Sequence, residues 1–600
     1  MPPTIHGFIK AQESDFETSE VQVGQNWTWS FKNHVQMLFH LKNGVFFTGN
    51  NDYLRAFKNV MEPILNLAYW TEDIEVKDVV FYIENQTGRV LSFLIKKYHD
   101  EVYVKEHDLD TFFDEITESD LDYGGALIQK TAKERPEVID LINITFCDQT
   151  DILGGPIGIK MSFSPNKLRQ MEKRGWGKAE NGATMSIDEL IVLATADKQN
   201  AGTTSLKNKT SGKNIDLYIV QGDLPEAYMK DNDNMDDYYN QLQIVGFYVD
   251  KNNERQGVTL YRKPLKEGTL KFHTSKKIAN RALGRGEGEA LIHPQIWTNC
   301  LTIWKHEMLE AGSKVPLYTD DPNYQNRNKI RDMENLEVTT IEEGKRIFQV
   351  PTVAPANVQL FANSINEWYA HAQLTGSAFD PVMGKEASSG TTFRGQERLV
   401  SQGNGLHERR RGQRAKFIEK IYREDIIPDI KKSILKGKRF LSTLTSDEMQ
   451  WVSDQLAENY ANRLQVEDIL NLKLPRDKAT LRNEFLTDFN KTGNKQLLEI
   501  LEDEFEDVEI KVGINVANKQ RDLGVMSDKI LSIFQFIFAN PAGFQQAMQL
   551  PGMSKAFNDI LEFSGISAPD FSMVAVPSST VLPPEALPPT TTPGLELTPA

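Results

Sequence analysis

The chain has 600 residues, 40% of them apolar and 25% charged, with a formal net charge of −16 and only two cysteines, Cys147 and Cys300. At about 150 residues per domain this length allows roughly four compact units. The two cysteines exclude a disulfide framework and a cysteine-based zinc site, and suit a reducing compartment. The acidic balance argues against a protein that grips a duplex by displacing counterions over a broad surface. It leaves open one that lets DNA slide past a repelling wall. The first residues, Met1 to Gly7, lack the basic-then-apolar pattern of a secretory signal. The longest apolar stretch, Ile530 to Phe538, is broken by Ser532 and Gln535 and is about half of the ~20 residues that span a bilayer. A soluble chain is expected.

In chain order, Leu54, Phe57, Val60, Met61, Leu65 and Ala68 recur at helical spacing between Asp52 and Tyr69. Ile215 to Val220 reads as a strand ending at Gly222-Asp223-Leu224-Pro225. Leu242 to Val249 and Gly257 to Tyr261 read as a hairpin turning at Asp250 to Asn253, so the first 300 residues are expected to be α+β. Asp231 to Asp237 imitates a calcium loop, but Asp236 stands at the turn-glycine position and Leu242 at the bidentate-Glu position; a solvated acidic loop fits better. Gly284-Arg285-Gly286-Glu287-Gly288 reads as a flexible start to a helix, and less well as a phosphate site, because Glu287 and Glu289 would repel an anion.

From Glu289 to Ala311, Trp297, Cys300, Leu301, Trp304, Met308 and Leu309 mark one helical face, about 35 Å long at 1.5 Å per residue. After a polar excursion of about forty residues ending in the strand-like Arg346 to Val350, a second stripe follows at Phe361, Ile365, Trp368, Tyr369 and Ala372. Gly376 to Gly390 is a glycine-bracketed loop, and a long helical run continues to about Leu435. That run carries the densest basic patch, Arg409, Arg410, Arg411 and Arg414. Arg410 and Arg414 are expected to share a face from which Arg409 and Arg411 diverge, so ion pairing to an acidic neighbour or neighbouring subunit, solvent exposure and contact with a DNA backbone all stay open. Glu502 to Glu509 is an acidic cluster that reads as a solvated face. Met526 to Phe563 reads as short helices, and the last stretch, with eight prolines from Pro569 onward, reads as a disordered tail.

Catalytic signatures are missing. No Gly-Lys pair is followed by the hydroxyl of a phosphate-binding loop, there is no G-x-S-x-G, and His306-Glu307 meets Glu310 where a second zinc histidine would stand. No enzyme activity, no cofactor and no metal are expected.

The order of these parts resembles the portal (head-to-tail connector) proteins of tailed bacteriophages. Gly288 to Asn299 sits where that family's first stem helix begins, Ser389 to Gln396 where its tunnel loop re-enters the long wing helix, and Tyr123-Gly124-Gly125-Ala126-Leu127 and Gly222 to Pro225 resemble wing segments. The resemblance implies an α+β, multi-domain subunit with wing, stem, clip and crown. The division is an N-terminal arm (1–49), wing (50–288), stem helices (289–311 and 354–375), clip (312–353), tunnel loop (376–390), long wing helix (391–435), wing return (436–525), crown helices (526–565) and Pro-rich tail (566–600). It also implies a homo-oligomeric ring, usually a dodecamer, at one capsid vertex of the virion, assembled in the host cytoplasm. Double-stranded DNA would pass through it without sequence specificity, and terminase, major capsid protein, scaffold and neck or tail adaptors would be its partners, with no membrane. Phe379, Asp380, Val382, Met383, Lys385, Glu386 and Ser388 would line the channel, while Trp297, Trp304, Phe361 and Trp368 would pack the stem. The alternative is a scaffold or adaptor protein of a virus particle that forms no channel.

Overall fold

The computed structural model describes residues 4–24, 27–44, 57–82, 89–130, 135–195, 214–230, 234–250, 254–265, 268–313, 317–319, 347–349, 355–378, 405–436, 445–492, 511–514 and 535. The channel-loop residues Phe379 to Ser388, the crown apart from Gln535, and the Pro-rich tail therefore lie outside the described residues. The chain divides into two compact units: residues 1–79, 100–429 and 514–518 form the first, and residues 80–99, 430–513 and 519–600 the second.

The first half of the chain opens with α1 (Ile5–Thr18), β1 (Val21–Gly24), β2 (Trp27–Trp29), α2 (Phe31–Lys42), α3 (Met61–Glu72), β3 (Val79–Tyr82), α4 (Arg89–Tyr98), α5 (Val104–His107) and α6 (Leu109–Tyr123). It continues with β4 (Ala126–Gln129), β5 (Glu137–Ile139), β6 (Ile144–Phe146), β7 (Ile157–Phe163), α7 (Pro165–Met171), α8 (Ile187–Thr195), β8 (Ile215–Pro225), α9 (Ala227–Lys230), β9 (Tyr238–Val249), β10 (Arg255–Pro264) and β11 (Leu270–His273). Then come α10 (Glu287–Ser313), β12 (Leu317–Thr319), β13 (Ile347–Gln349), α11 (Pro355–Thr375), α12 (Gly405–Ile421), α13 (Ile427–Lys436), α14 (Ser446–Leu470), α15 (Lys478–Thr492) and β14 (Lys511–Ile514). The fold is α+β.

In the first unit, β10-β9-β8-β7-β6 form an antiparallel sheet in which Ile219 lies opposite both Ile159 and Ile244. Alternation along β8 sends Leu217 and Ile219 to a core shared with Phe16, Phe31, Phe146 and Leu190, and Tyr218 and Val220 to a second core with Ile5, Ile9 and Val245. Residues of α1 enter both cores. In the segment expected as an N-terminal arm, Ile5, Ile9 and Phe16 of α1, with Phe31 and Val35 of α2, are buried, because their spacing gives α1 and α2 an apolar stripe that needs the sheet.

The expected hairpin forms as β9–β10, closed where Glu254 and Asp250 exchange backbone and side-chain hydrogen bonds. β8 differs from expectation, running on through Gly222 to Pro225 instead of stopping before it. Gly222 has φ +141°, and a Cβ there would stand 2.7 Å from Pro156 Cα, so only glycine lets the strand continue past that backbone.

The glycines ahead of α10 have a packing role. Gly124 ends α6 with φ +89°, and a Cβ on it would meet Gly284 O at 2.5 Å and Gly286 N at 2.6 Å. Two glycine segments 160 positions apart thus lie backbone to backbone, joined by Gly284 N donating to Gly124 O at 3.1 Å. The helix start is held rather than flexible. Arg281 donates to Leu283 O and to both oxygens of Glu289.

The long helical run expected after the glycine-bracketed loop begins its described part at α12. Between α12 and α13 the backbone takes a π-helical turn, Tyr422–Ile426, directly ahead of Pro428. Proline lacks an N–H and crowds the carbonyl four residues back, and a widened turn relieves that clash without breaking the helix. In the second unit, α4 packs on α14 through Phe93 and Trp451, ring centroids 5.3 Å apart, and α14 packs on α15 through Tyr460 and Phe485, 5.2 Å apart. Thr445 and Glu448 form a capping box that starts α14.

Candidate functional site

The two aromatic-striped segments read from the sequence are helical, as α10 and α11. Early residues of α10 (Leu291, Ile292, Ile296) share a core with late residues of α11 (Tyr369, Ala372), which makes the pair antiparallel. The helices are joined, beyond Ser313 and before Pro355, by the two-stranded β12–β13 ribbon, with Tyr318 opposite Phe348. Trp297 and Trp368 stack with centroids 6.2 Å apart and planes 11° from parallel.

Burial is uneven along the pair, and even at the base Trp297 and Leu374 are exposed. In the first half of α10, Leu291, Ile292, Gln295, Thr298, Asn299 and Leu301 are buried. Beyond it Trp304 is 45% exposed and Leu309 is exposed, and on α11 Leu360 is 65% exposed. Phe361 is half-buried. Of the four aromatics expected to pack the stem, Trp297 and Trp368 stack on each other, yet Trp297 is 43% exposed, nearly as much as Trp304. Two helices bury one stripe against each other, and the remaining apolar face needs another surface.

The base of the pair is fastened by amide side chains. Val60 precedes α3 and has no side chain that can cap it, so the buried Gln295 of α10 accepts from Val60 N at 2.8 Å and Met61 N at 2.9 Å and donates to Lys58 O at 2.8 Å. Asn299 accepts from Lys58 N at 3.1 Å. These contacts do for α3 what an N-cap does elsewhere.

Beside them lies a buried charge cluster. Glu72, fully buried at the end of α3, pairs with His407 Nδ1 at 2.7 Å, with Arg410 at 3.5 Å and with Arg414. Arg410 also pairs with Glu287, Arg411 with Asp78 at 2.8 Å, and Arg414 Nε stands 3.8 Å from Asp120. Burial pushes the Glu287 carboxyl above its ordinary range, although Arg410 opposes it. Burying charges costs desolvation, so the cluster adds less net stability than its contacts suggest; removing one partner, however, strands the other in a dry site.

Of the four expected basic residues, only Arg409 is exposed. Arg411 does not diverge from Arg414 as read from the sequence: three residues apart on a helix, both sit on the buried stripe that His407 begins and Ile418 and Ile421 continue. Within one chain, Arg410, Arg411 and Arg414 already have carboxylate partners. The sequence reading missed Glu72, Glu287, Gln295 and His407. Glu72 had a usable signal, since it extends the stripe Met61, Ile64, Leu65, Ala68 by one turn, where a charge is out of place without a partner.

No protein-family model and no curated protein matches this chain. Among solved structures it is similar to a chain from the virion of a native gene transfer agent particle, with 8% sequence identity and a TM-score of 0.30, covering 78% of this chain and 100% of that one. A likeness at that TM-score carries no argument about function. Among the described residues no helix is long and apolar enough to cross a membrane.

Proposed function

We propose that the chain is a portal-type subunit: a ring-forming virion protein that sits at one capsid vertex and gives double-stranded DNA a passage during packaging and ejection. The observation that carries this reading is the helix pair α10–α11, bound to the α+β body at one end, joined by a small β-ribbon at the other, and bearing the exposed apolar residues Trp304, Leu309 and Leu360 that the described residues leave uncovered. A ring covers such faces by heterologous contacts that close on themselves. Arg409 and the channel-loop residues Phe379, Asp380, Val382, Met383, Lys385, Glu386 and Ser388 would face the neighbour or the passage. The protein has no catalytic part in this reading; terminase supplies the work of packaging, and capsid, scaffold and neck or tail proteins dock around the ring. Electron microscopy of the purified protein tests it. Rings with a central opening wide enough for a duplex are expected, and a compact monomer at micromolar concentration would sink the proposal.

A further inference from the structure

A cavity of about 330 Å³ opens in the first unit where β11's end, the glycine segment before α10, the end of α11 and the start of α12 converge. That is within the size range of small-molecule sites, about 300–1,000 Å³. Four cationic side chains line it: Lys276, Arg285, Arg409 and Arg410. Its two carboxylates, Asp120 and Glu287, are already answered from within the protein. Asp120 accepts from Ser275 at 2.5 Å and lies 3.8 Å from Arg414, and Glu287 pairs with Arg410. Glu289, next along α10, is held by Arg281. Each acidic residue that counts against a phosphate site in the sequence thus faces an arginine of the same chain, Glu287 the cavity's own Arg410 and Glu289 Arg281.

Lys276, Arg285 and Arg409 are different. All three are exposed, and among the described residues none has a carboxylate partner. In a chain of net charge −16, three uncompensated cations around one cavity leave a local positive field in a negative surround, which concentrates anions there. Ser275, Thr375 and Gln413 add neutral hydrogen-bonding groups to the wall. The backbone contact between Gly124 and Gly284–Gly286, with Arg285 N donating to Lys276 O at 2.9 Å, sets the backbone of Arg285 and Lys276 side by side at the rim.

From this convergence we infer that the cavity is a binding site for a phosphate group, gripped by Lys276, Arg285 and Arg409. The group can arrive on a small polyphosphate or as a phosphodiester of a nucleic-acid backbone, and the two sources share the same recognition chemistry. The inference does not rest on the ring, because every residue involved belongs to one chain.

Calorimetric titration of the full chain with inorganic pyrophosphate, and fluorescence anisotropy with a labelled duplex of arbitrary sequence, each at about 50 mM and 200 mM salt, test it. Loss of one charge-assisted contact should weaken binding at least about 10-fold, so Arg285→Gln/Arg409→Gln should lose about 100-fold, and Lys276→Gln about 10-fold. Saturable pyrophosphate binding that the variants lose supports a free polyphosphate. Duplex binding lost in the same variants, with a log–log salt slope of about −2 to −3, supports a backbone phosphate. The substituted side chains are exposed, and thermal melts check that the variants fold. Ala290→Glu, which sets a carboxylate in the cavity wall, gives a second reading. Absence of saturable binding of either probe, or affinities unchanged in all of these variants, overturns the site.

Discussion

The two halves of the α10–α11 pair are built from similar residues and differ in what surrounds them. At the base, Leu291, Ile292 and Ala372 meet α2 and α3, and Gln295 and Asn299 satisfy the backbone ahead of α3. Farther along, Trp304, Leu309 and Leu360 are of the same apolar kind, yet each is more than two-fifths exposed. The base packs on the body through a buried core, although Trp297 and Leu374 stand exposed there too, whereas the far half leaves Trp304, Leu309 and Leu360 exposed without that anchoring. An apolar stripe in a sequence therefore states a need for burial without saying whether the chain meets it alone.

The sharpest way to break the base is through its charges. Glu72→Ala leaves His407, Arg410 and Arg414 facing an empty buried position, and should destabilise the first unit by ~3–5 kcal/mol, read by urea denaturation. A loss under about 1 kcal/mol would mean that the cluster is wetter than its burial suggests. Gln295→Ala removes the acceptor of two amides and should cost ~1–3 kcal/mol, with faster hydrogen exchange at Val60 and Met61 before any change elsewhere.

Acid should act on the same base. Burial alone would raise the Glu289 pKa, but hydrogen bonds from His34 and Arg281, with the charge of Arg281, outweigh it and bring it from 4.5 to about 2. A carboxylate with a depressed folded-state pKa stabilises above its unfolded value and loses that contribution as pH falls through the folded one. Glu289→Gln should therefore flatten the acid limb of stability between about pH 5 and pH 2. An unchanged limb in this variant would show that His34 and Arg281 do not hold the carboxylate.

Local periodicity made α10, α11 and the β9–β10 hairpin legible, because each depends on residues a few positions apart. The charge cluster was not legible, since Glu72 and Arg414 are 342 positions apart and nothing near either one names the other. The basic run was visible as charge, but its helical phase was misjudged at Arg411. The glycines before α10 were visible as freedom; their use, close contact with Gly124, needed the fold. The packing of α1 and α2 into the sheet cores was hidden for the same reason, because the short stripe of α1 looks alike whether or not a partner is present.

The smallest effect on the chain itself should come from the far half, and it decides what that half is for. Trp304→Ala removes a side chain that is 45% exposed, so folding of the isolated subunit should change by about 1 kcal/mol or less, well below the ~3–5 kcal/mol of a buried aromatic. Assembly is where the substitution should tell, because a ring would bury that ring system in every interface and lose it in every interface at once. Analytical ultracentrifugation should show Trp304→Ala shifted toward smaller species at a protein concentration where wild type is assembled, with urea midpoints nearly equal. A large fall in subunit stability would mean that Trp304 is already inside one chain's core, and an unchanged size distribution would mean that the open face of α10–α11 is not where subunits meet.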